Sequence, residues 1–232
     1  MTARRATAER PRPRVVGVIA SRADLDRAML IRRTPDLFEL RLDCLVNVME
    51  QLETKLPRLR APLIITARHP REGGANKLSL RQRLSLLTRF LPHAKYVDVE
   101  LRSGFALDSL LRLAERKKVR RIISFHNFKL TPSPRILFAK ARSAERHAAN
   151  IFKVATRTDT PVEVARLLSF LTNKNVDLPI SAMGIGKLGA ISRVLLARAG
   201  SALVYGSIAR ESDIEGQLSL EQLRALGIAS RR

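Results

Sequence analysis

The stretch Asn150-Ile-Phe-Lys-Val-Ala-Thr156 has the composition of a buried β-strand with a lysine, Lys153, at its centre. Isoleucine, phenylalanine, valine and threonine suit a pleated, packed surface. An ammonium group buried among such residues must pair or lose its proton, and desolvation lowers the pKa of the group. A neutral lysine amine is a nucleophile that forms Schiff bases with carbonyl substrates. The alternative is a lysine near a strand end whose ammonium reaches solvent.

Apolar segments of strand length recur on both sides of this stretch, and each is followed by a helical pattern. We predict strands at 15–20, 36–43, 62–68, 95–101, 119–125, 150–156, 178–183 and 201–206. We predict helices at 23–33, 45–56, 80–90, 107–117, 135–148, 161–171, 190–199 and 220–226. Eight strand–helix units predict a single-domain α/β protein, a (β/α)8 TIM barrel.

The barrel is expected to occupy residues 15–228, between a basic disordered N-terminal tail at 1–14 and a C-terminal tail at 229–232. A doubly wound open sheet is the alternative architecture. No G-x-G-x-x-G follows the first predicted strand and no P-loop pattern occurs. Gly184 and Gly186 supply only G-x-G, which is weak evidence for a nucleotide site.

The strong positive charge of the chain raises the possibility of a nucleic-acid-binding protein. The formal net charge is +22 over 232 residues, yet the arginines are spread along the whole chain. Aromatic residues make up 4% and tryptophan is absent, so stacking platforms for single strands are scarce. We expect salt-sensitive, unspecific binding to polyanions and attraction of small anionic substrates, and no specific nucleic-acid target.

The apolar runs, the N-terminal composition and the cysteine content bear on the cellular compartment of the protein. The sequence has no run of eighteen apolar residues, so no membrane span is expected. The first fourteen residues are rich in Arg and Pro and lack the apolar region of a secretory signal, although transit peptides share that composition. One cysteine, Cys44, excludes an internal disulfide and fits a reducing compartment. We therefore expect a cytoplasmic protein.

Polar side chains concentrate at the ends of the predicted strands, where a barrel of this kind carries its active site. Glu39, Arg41 and Asp43 occupy alternate positions of the second predicted strand, so their side chains are expected on one face. The candidates are Glu39, Arg41, Asp43, Arg68, Glu72, Asp98, Glu100, His126, Lys153, Arg193, Ser212 and Gln217.

Several of these residues also fit purely structural roles. Glu39 and Arg41 have the spacing of a structural ion pair, and such pairs perturb pKa values as active sites do. His126 fits a core histidine with satisfied hydrogen bonds. Arg193 fits a solvated helix residue. The functional interpretation therefore depends on their convergence at one barrel mouth.

Together the candidates suit one chemistry. An imine on Lys153 would acidify a neighbouring carbon, and His126 would take and return a proton near neutral pH. The arginines would clamp a carboxylate. Asp98 and Glu100 raise the possibility of a divalent metal, but a catalytic metal needs more oxygen or histidine ligands than this pattern supplies.

A set of short motifs along the chain resembles the type I 3-dehydroquinate dehydratase family, the Schiff-base enzymes of the shikimate pathway. The resemblance extends from Val15 to about Leu220, and its strength lies in the order and spacing of the motifs. The motifs are Phe38-Glu-Leu-Arg-Leu-Asp43, Thr66-Ala-Arg-His-Pro-Arg-Glu-Gly-Gly74, Tyr96-Val-Asp-Val-Glu100, Ser124-Phe-His-Asn-Phe128 with Thr131-Pro132, Phe152-Lys-Val-Ala155, Ile191-Ser-Arg193 and Gly216-Gln217.

The resemblance implies three catalytic residues. Lys153 is similar to the lysine that forms an imine with the C3 ketone of 3-dehydroquinate. His126 resembles the general base that removes a C2 proton and then protonates the departing C1 hydroxyl in a syn elimination. Glu72 resembles the carboxylate that orients this histidine. The product would be 3-dehydroshikimate.

The resemblance also implies how the substrate is held. Arg193 resembles the residue that binds the substrate carboxylate, and Ser212 and Gln217 resemble residues of a lid. The family uses no metal and no organic cofactor, and its members are often homodimers. The residues similar to those that hold the ring hydroxyls and position the imine are Glu39, Arg41 and Arg68.

The sequence departs from the family pattern at two places. Asn127 replaces an aspartate after the catalytic histidine, which removes a carboxylate beside His126 and would lower the histidine pKa. The lid motif reads Ser212-Asp-Ile-Glu-Gly-Gln217, one residue longer than usual and with two added acids. Counting forward along the chain favours Ser212 as the lid serine, whereas counting back from Gln217 indicates Asp213.

Two other functions remain open from the residues. A class I aldolase also places its lysine on the sixth strand, but such enzymes often meet a substrate phosphate at a Gly-rich loop after strands 7 and 8. Here that region offers Arg193, which suits a carboxylate. A nucleic-acid-binding protein on an inactive barrel would bind with sequence preference at moderate salt.

Overall fold

Parallel strands and helices alternate along the chain as the sequence predicts. The computed structural model describes residues 12–173, 176–209 and 214–228. Its strands are β1 (Arg14–Ile19), β2 (Leu37–Arg41), β3 (Leu63–Thr66), β4 (Ala94–Glu100), β5 (Arg120–Asn127), β6 (Ile151–Arg157), β7 (Ile180–Ile185) and β8 (Leu203–Ser207). Its α-helices are α1 (Arg22–Leu30), α2 (Met49–Lys55), α3 (Leu80–Phe90), α4 (Asp108–Arg116), α5 (Pro134–Arg146), α6 (Pro161–Thr172), α7 (Gly189–Arg198) and α8 (Leu220–Ala225).

The strands form one sheet in the order β7-β6-β5-β4-β3-β2-β1-β8. All neighbouring pairs are parallel, and β1 pairs with both β2 and β8. The remaining seam is bridged by the Ala202 backbone N–H, which donates to the Ile180 carbonyl at 2.8 Å. The result is a nearly closed barrel with helices outside, so the (β/α)8 prediction is confirmed.

Alternation along each strand divides the apolar core into two layers. In β6, Phe152 and Val154 belong to the layer between strands and helices. Ile151 and Ala155 belong to the layer inside the barrel. Because side chains alternate along a strand, Lys153 shares the interior face with Ile151 and Ala155. The lysine therefore projects into the barrel.

Helix starts follow local side-chain chemistry. Ser79 caps α3 and Ser219 caps α8, each with a glutamine three residues on that completes a capping box. Pro161 occupies the first turn of α6, where the missing N–H has no helical partner to lose. The predicted helix starts at Pro161 and Leu220 are confirmed. None of the helices described is long and apolar enough to cross a membrane.

Several element boundaries differ from the sequence predictions. The strand predicted at 178–183 is shifted towards the C-terminus, since β7 includes Gly184 and Ile185, which pair with β6 through Thr156↔Gly184 and Arg157↔Ile185. The predicted helix at 45–56 is interrupted, since 3-10 turns at Val46–Val48 and Leu56–Arg58 flank a short α2. Most of the predicted tail at 1–14 and all of 229–232 lie outside the described residues.

Candidate active site

One cavity of about 190 Å³ opens at the C-terminal ends of the strands. Eight of the nine residues predicted to act in catalysis or substrate binding line it. Ser212, the ninth, lies outside the described residues. The eight are Glu39, Arg41, Arg68, Glu72, His126, Lys153, Arg193 and Gln217.

Lys153 is buried in this cavity, with 4% of its surface exposed. Its Nζ lies 3.2 Å from Oε1 of Glu39 and 3.0 Å from Oδ2 of Asp98. The ammonium also lies 4.0 Å from the centre of the Tyr205 ring, a cation–π geometry. The alternative of a lysine that reaches solvent is thus wrong. The burial is accompanied by ion pairing, one of the two outcomes that the sequence predicts for a buried ammonium.

Arg68 connects the lysine to a buried network of acids. Its Nη1 and Nη2 each lie 3.0 Å from an oxygen of Asp98, a bidentate pair, and Nη1 lies 3.2 Å from Glu100. Burial opposes ionisation of Asp98, yet Arg68 and Lys153 hold the pKa of its carboxyl well below the usual range. Arg83 binds the other oxygen of Glu100. Asp98 and Glu100 are therefore counter-ions of arginine and lysine.

The same acids were considered above as metal ligands. Among residues 12–173, 176–209 and 214–228, no group of three or more His, Cys, Asp or Glu side chains is arranged to hold a metal ion. Asp98 pairs with Arg68 and Lys153, and Glu100 pairs with Arg68 and Arg83, so ion pairing accounts for both acids.

His126 and Glu72 form a second pair at the cavity wall. The histidine Nδ1 and its backbone nitrogen both lie 3.0 Å from Oε2 of Glu72. Burial, together with Arg68 and Lys153, lowers the pKa of His126 well below its ordinary value. The ring is therefore neutral near pH 7, and when an ionised Glu72 accepts Nδ1–H, Nε2 is the nitrogen that can accept a proton.

Glu72 is itself perturbed. Burial and the nearby Glu100 raise its pKa to about 7. It lies in a 3-10 turn, Pro70–Glu72, and Gly73 follows with a φ of +82°. A side chain at Gly73 would meet the Phe128 ring at 2.8 Å, so glycine is required there. This turn is what brings the carboxylate from β3 to the histidine on β5.

Asn127, the residue that departs from the family pattern, does not contact the histidine ring through its side chain. Its Oδ1 accepts the backbone N–H groups of Lys129 at 2.9 Å and Leu130 at 3.2 Å. The amide thus stabilises the turn after β5. The predicted influence of this substitution on the pKa of His126 stays a prediction.

Arg41 is bound on the protein side of the cavity. It donates to both oxygens of Asp43, at 3.0 and 2.8 Å, and to the Gly73 carbonyl at 3.1 Å. Asp43 in turn accepts backbone N–H groups of Arg68 and Ala75. Asp43 therefore holds the β2 and β3 loops together and fixes the guanidinium.

Arg193 is buried without an acid. It is 3% exposed, donates from Nη1 to the Gly216 carbonyl, and its Nε has no hydrogen-bond partner. Burial lowers its pKa to about 10. No carboxylate of the described residues lies within ion-pair distance. A buried guanidinium of this kind is an anion site, and the solvated-helix alternative for Arg193 is wrong.

The lid segment, residues 214–217, closes one side of the cavity with Ile214 and Gln217. Glu215, one of its added acids, lies 3.1 Å from Nη1 of Arg157 at the end of β6, and its carbonyl accepts the Gly186 N–H at 3.0 Å. Its charge is thus neutralised by the protein. Asp213, the other added acid, lies outside the described residues.

Two contributors to the site were missed or misjudged from sequence. Tyr205 was not singled out, since one aromatic residue in an apolar strand gives no signal of its partner across the barrel. Asp98 was noticed as an acid within a strand, but its contact with Lys153 depends on how β4 and β6 align. An acid inside an apolar strand was the available signal.

Comparisons with known proteins identify the family of this chain. The family model for type I 3-dehydroquinase matches residues 16–228. The 3-dehydroquinate dehydratase of Pyrococcus abyssi (strain GE5 / Orsay) is 34% identical over 195 residues, which cover 82% of this chain and 86% of the relative.

Solved structures of 3-dehydroquinate dehydratases share the fold of this chain. A crystal structure of 3-dehydroquinate dehydratase from Geobacillus kaustophilus HTA426 superposes with a TM-score of 0.83 at 28% identity, covering 93% of this chain and 90% of that one. A type I 3-dehydroquinate dehydratase from Clostridium difficile, solved with covalently modified comenic acid, gives a TM-score of 0.83 at 26% identity, covering 93% and 91%.

Proposed function

The chain belongs to the type I 3-dehydroquinase family, and from that premise we propose how its site removes water from 3-dehydroquinate to give 3-dehydroshikimate. The activity is that of a hydro-lyase of the shikimate pathway, in aromatic amino acid biosynthesis. The observation that carries the proposal is the pairing of a buried amine, Lys153, with a neutral histidine, His126, in one cavity that also holds an unpaired guanidinium, Arg193.

Lys153 is the nucleophile. Its amine adds to the C3 ketone and one water leaves, which gives a protonated imine. Ammonium and ketone together give the protonated imine and water, so no proton is lost overall. Glu39 and Asp98 contact Nζ, so their carboxylates stabilise the cation that the imine becomes. The Tyr205 ring beneath Nζ also favours a cation at this position.

His126 is the acid and base. The imine withdraws electrons from C2, and Nε2 of the neutral ring takes the C2 proton. The same imidazolium gives that proton to the departing C1 hydroxyl, which leaves as water. One residue on one face of the ring performs a syn elimination. Glu72 holds Nδ1 and stabilises the imidazolium while the proton is on it. Water then hydrolyses the imine, releasing product and the free amine.

Arginines position the substrate. Arg193 binds the carboxylate, since it is the buried guanidinium without an acid of its own. Arg41, Arg68 and Glu39 hold the ring hydroxyls and the imine from the opposite wall. Gln217, and Ser212 by family resemblance, close over the substrate from the lid.

The decisive experiment is borohydride reduction with and without 3-dehydroquinate, followed by intact mass measurement and peptide mapping. We expect a substrate-dependent adduct on Lys153. Lys153→Met should lose both the adduct and turnover, whereas His126→Ala should still form the imine but lose turnover. Full activity in Lys153→Met would contradict the Schiff-base mechanism.

We also propose that the protein is a cytoplasmic homodimer, as the family resemblance and the single free cysteine suggest. Ile191 and Leu195 lie one turn apart on α7 and are 54% and 41% exposed, an apolar strip available to a second copy. Sedimentation equilibrium measures the oligomeric state, and a monomer at micromolar concentration would refute the dimer. Cell fractionation checks the compartment.

A further inference from the structure

A second, larger cavity lies at the opposite end of the barrel from the active site. It has a volume of about 650 Å³, within the range of small-molecule sites, and shares no lining residue with the active-site cavity. Three arginines line it, Arg12, Arg14 and Arg120. Arg14 and Arg120 are the first residues of β1 and β5, so the cavity opens at the N-terminal ends of the strands.

Two of these arginines converge on one neutral oxygen. Nη1 of Arg14 donates to the Tyr96 hydroxyl at 2.7 Å, and Nη1 of Arg120 donates to the same hydroxyl at 2.9 Å. Because both Nη1 atoms contact the same oxygen, the two guanidinium groups lie close together. Tyr96 is fully buried, and both guanidinium carbons lie within 5.3 Å of its ring centre. The phenol thus fixes two like charges side by side.

The charges of this pair are not neutralised by the described part of the chain. Neither Arg14 nor Arg120 has a carboxylate within ion-pair distance there, whereas Arg12 binds both oxygens of Asp36, at 3.0 and 2.7 Å. Asp36 is within electrostatic reach of Arg14, but its oxygens are taken by Arg12 and the Val15 N–H. Adjacent cations repel, so a bound anion would lower the energy of this arrangement.

The rest of the cavity wall is apolar. Strands β6 and β7, the end of α6 and the loop before β8 supply these side chains. A bare inorganic ion would leave this wall in contact with water, whereas a ligand with an apolar body would cover it. The apolar lining residues are Ile151, Leu171, Pro179, Ile180, Ala199 and Ala202.

We propose that this cavity binds a small organic phosphate, a phosphate monoester with an aromatic or aliphatic body. The phosphate oxygens accept from the guanidinium groups of Arg14 and Arg120, whose several N–H donors suit a tetrahedral oxyanion. The body lies on the apolar wall. The site is independent of the dehydratase chemistry, because none of its residues touches the catalytic cavity.

The test is a calorimetric titration of the whole protein with phenyl phosphate. We expect one site per chain, bound more tightly than inorganic phosphate, which lacks the body, than phenol, which lacks the charge, and than benzoate, which carries a carboxylate. Arg14→Gln/Arg120→Gln should weaken phenyl phosphate binding at least about tenfold, because two charged hydrogen-bond donors are lost.

The matched control is Arg81→Gln/Arg135→Gln, which removes two charges at exposed positions in the first turns of α3 and α5. It should bind phenyl phosphate as the unaltered protein does. Equal losses in both double variants would overturn the proposal in favour of unspecific attraction by net charge. Binding of benzoate as tight as that of phenyl phosphate would overturn the phosphate assignment.

A measurement on the unaltered protein guards against misfolding of the variants. Titration with phenyl phosphate should shift the amide NMR signals of Ile151, Ile180 and Ala202, and an absence of shifts there would refute the site. Dehydratase activity of Arg14→Gln/Arg120→Gln should remain normal. A protein that binds phenyl phosphate but forms no imine would therefore retain this inference while losing the proposed function.

Discussion

Arg68 and Arg193 line the same cavity, both are 3% exposed, and their surroundings are opposite. Arg68 lies within ion-pair distance of Glu39, Asp98 and Glu100, and these acids raise its pKa well above the ordinary value although burial opposes it. Arg193 contacts one carbonyl, and burial lowers its pKa to about 10.

The difference shows how one barrel mouth separates a permanent charge network from a site for a charged ligand. The acids around Arg68 come from β2 and β4, so that region is complete when the protein folds. Among the described residues no carboxylate pairs with Arg193, and an anionic substrate would supply one. A buried charge pair contributes little net stability, but a buried charge left without its partner is strongly unfavourable. The same substitution should therefore have different consequences at the two positions.

The largest effect is expected on stability from Arg68→Gln. This change leaves Asp98 and Glu100 buried with fewer counter-ions, which should lower the free energy of unfolding by about 3–5 kcal/mol. Urea denaturation measures it. Arg193→Gln is the matched control and should lose no more than about 1 kcal/mol, because it removes a desolvated charge whose hydrogen bond is to one carbonyl. Equal losses at both positions would show that the two arginines do not differ as described.

Arg193→Gln is expected to have a large effect on substrate binding, in contrast to its small effect on stability. Arg193→Gln should lower kcat/KM for 3-dehydroquinate by about 100- to 1000-fold, since a buried ion pair with the substrate carboxylate is lost. Most of the loss should appear as a higher KM. Steady-state kinetics at saturating and limiting substrate separate the two parameters. An unchanged KM would place the carboxylate elsewhere in the cavity.

Glu72 lies between these two cases, because nearby cations offset only part of the cost of burying its charge. Arg102 is its nearest cation, at 3.8 Å, and burial raises the Glu72 pKa from 4.5 to about 7. Between these pH values the folded state holds the proton more tightly than the unfolded state, so stability falls as pH rises and levels off above 7.

Glu72→Gln removes this titration. The variant should gain stability relative to the unaltered protein as pH rises from 4.5 to 7, by no more than about 3 kcal/mol. Urea denaturation at several pH values measures the difference. His126, whose lowered pKa has the opposite effect on stability, contacts Glu72, so its titration is followed by NMR in both proteins and its contribution is subtracted. A difference independent of pH would show that the carboxyl is not perturbed.

The comparison also separates what sequence predicts from what it does not. Hydrophobic periodicity predicted all eight strands, because an apolar strand needs no knowledge of its partner to be recognised. It missed Gly184 and Ile185 as strand residues, because they are held by pairing with Thr156 and Arg157 of β6. The Arg68 region was predicted as a set of polar residues at strand ends. The ion pairs in this region, in which Asp98 contacts both Arg68 and Lys153, depend on the register of strands that are far apart in the sequence.

The sequence contains even less indication that Arg193 is buried without a carboxylate partner among the described residues. An arginine on an amphipathic helix is ordinarily solvated, and α7 carries Arg193 one residue after a buried serine that packs on β7. Only the positions of the helix and of Gly216 show that the guanidinium is buried without an acid. The family resemblance supplied the residue, and the structure supplies the physical reason for it.

The smallest effect is expected where the lid segment meets Arg157. Glu215 pairs with Arg157 at 3.1 Å, and Asp159 shares the same guanidinium at 2.6 Å. Because Arg157 is 32% and Glu215 53% exposed, the pair should contribute no more than about 1 kcal/mol. Arg157→Gln should therefore raise KM by no more than about fivefold, through a less firmly held Gln217.

Steady-state kinetics at low and high salt check this effect, which should shrink as salt screens the ion pair. Arg112→Gln is the control, because it breaks an exposed pair with Asp108 on α4, away from the cavity, and should leave KM unchanged. The exchange Arg157→Glu/Glu215→Arg should recover part of the loss at low salt. A KM unaffected by Arg157→Gln would mean that the contacts of Gly216 with Gly186 and Arg193 hold the lid without help from the ion pair.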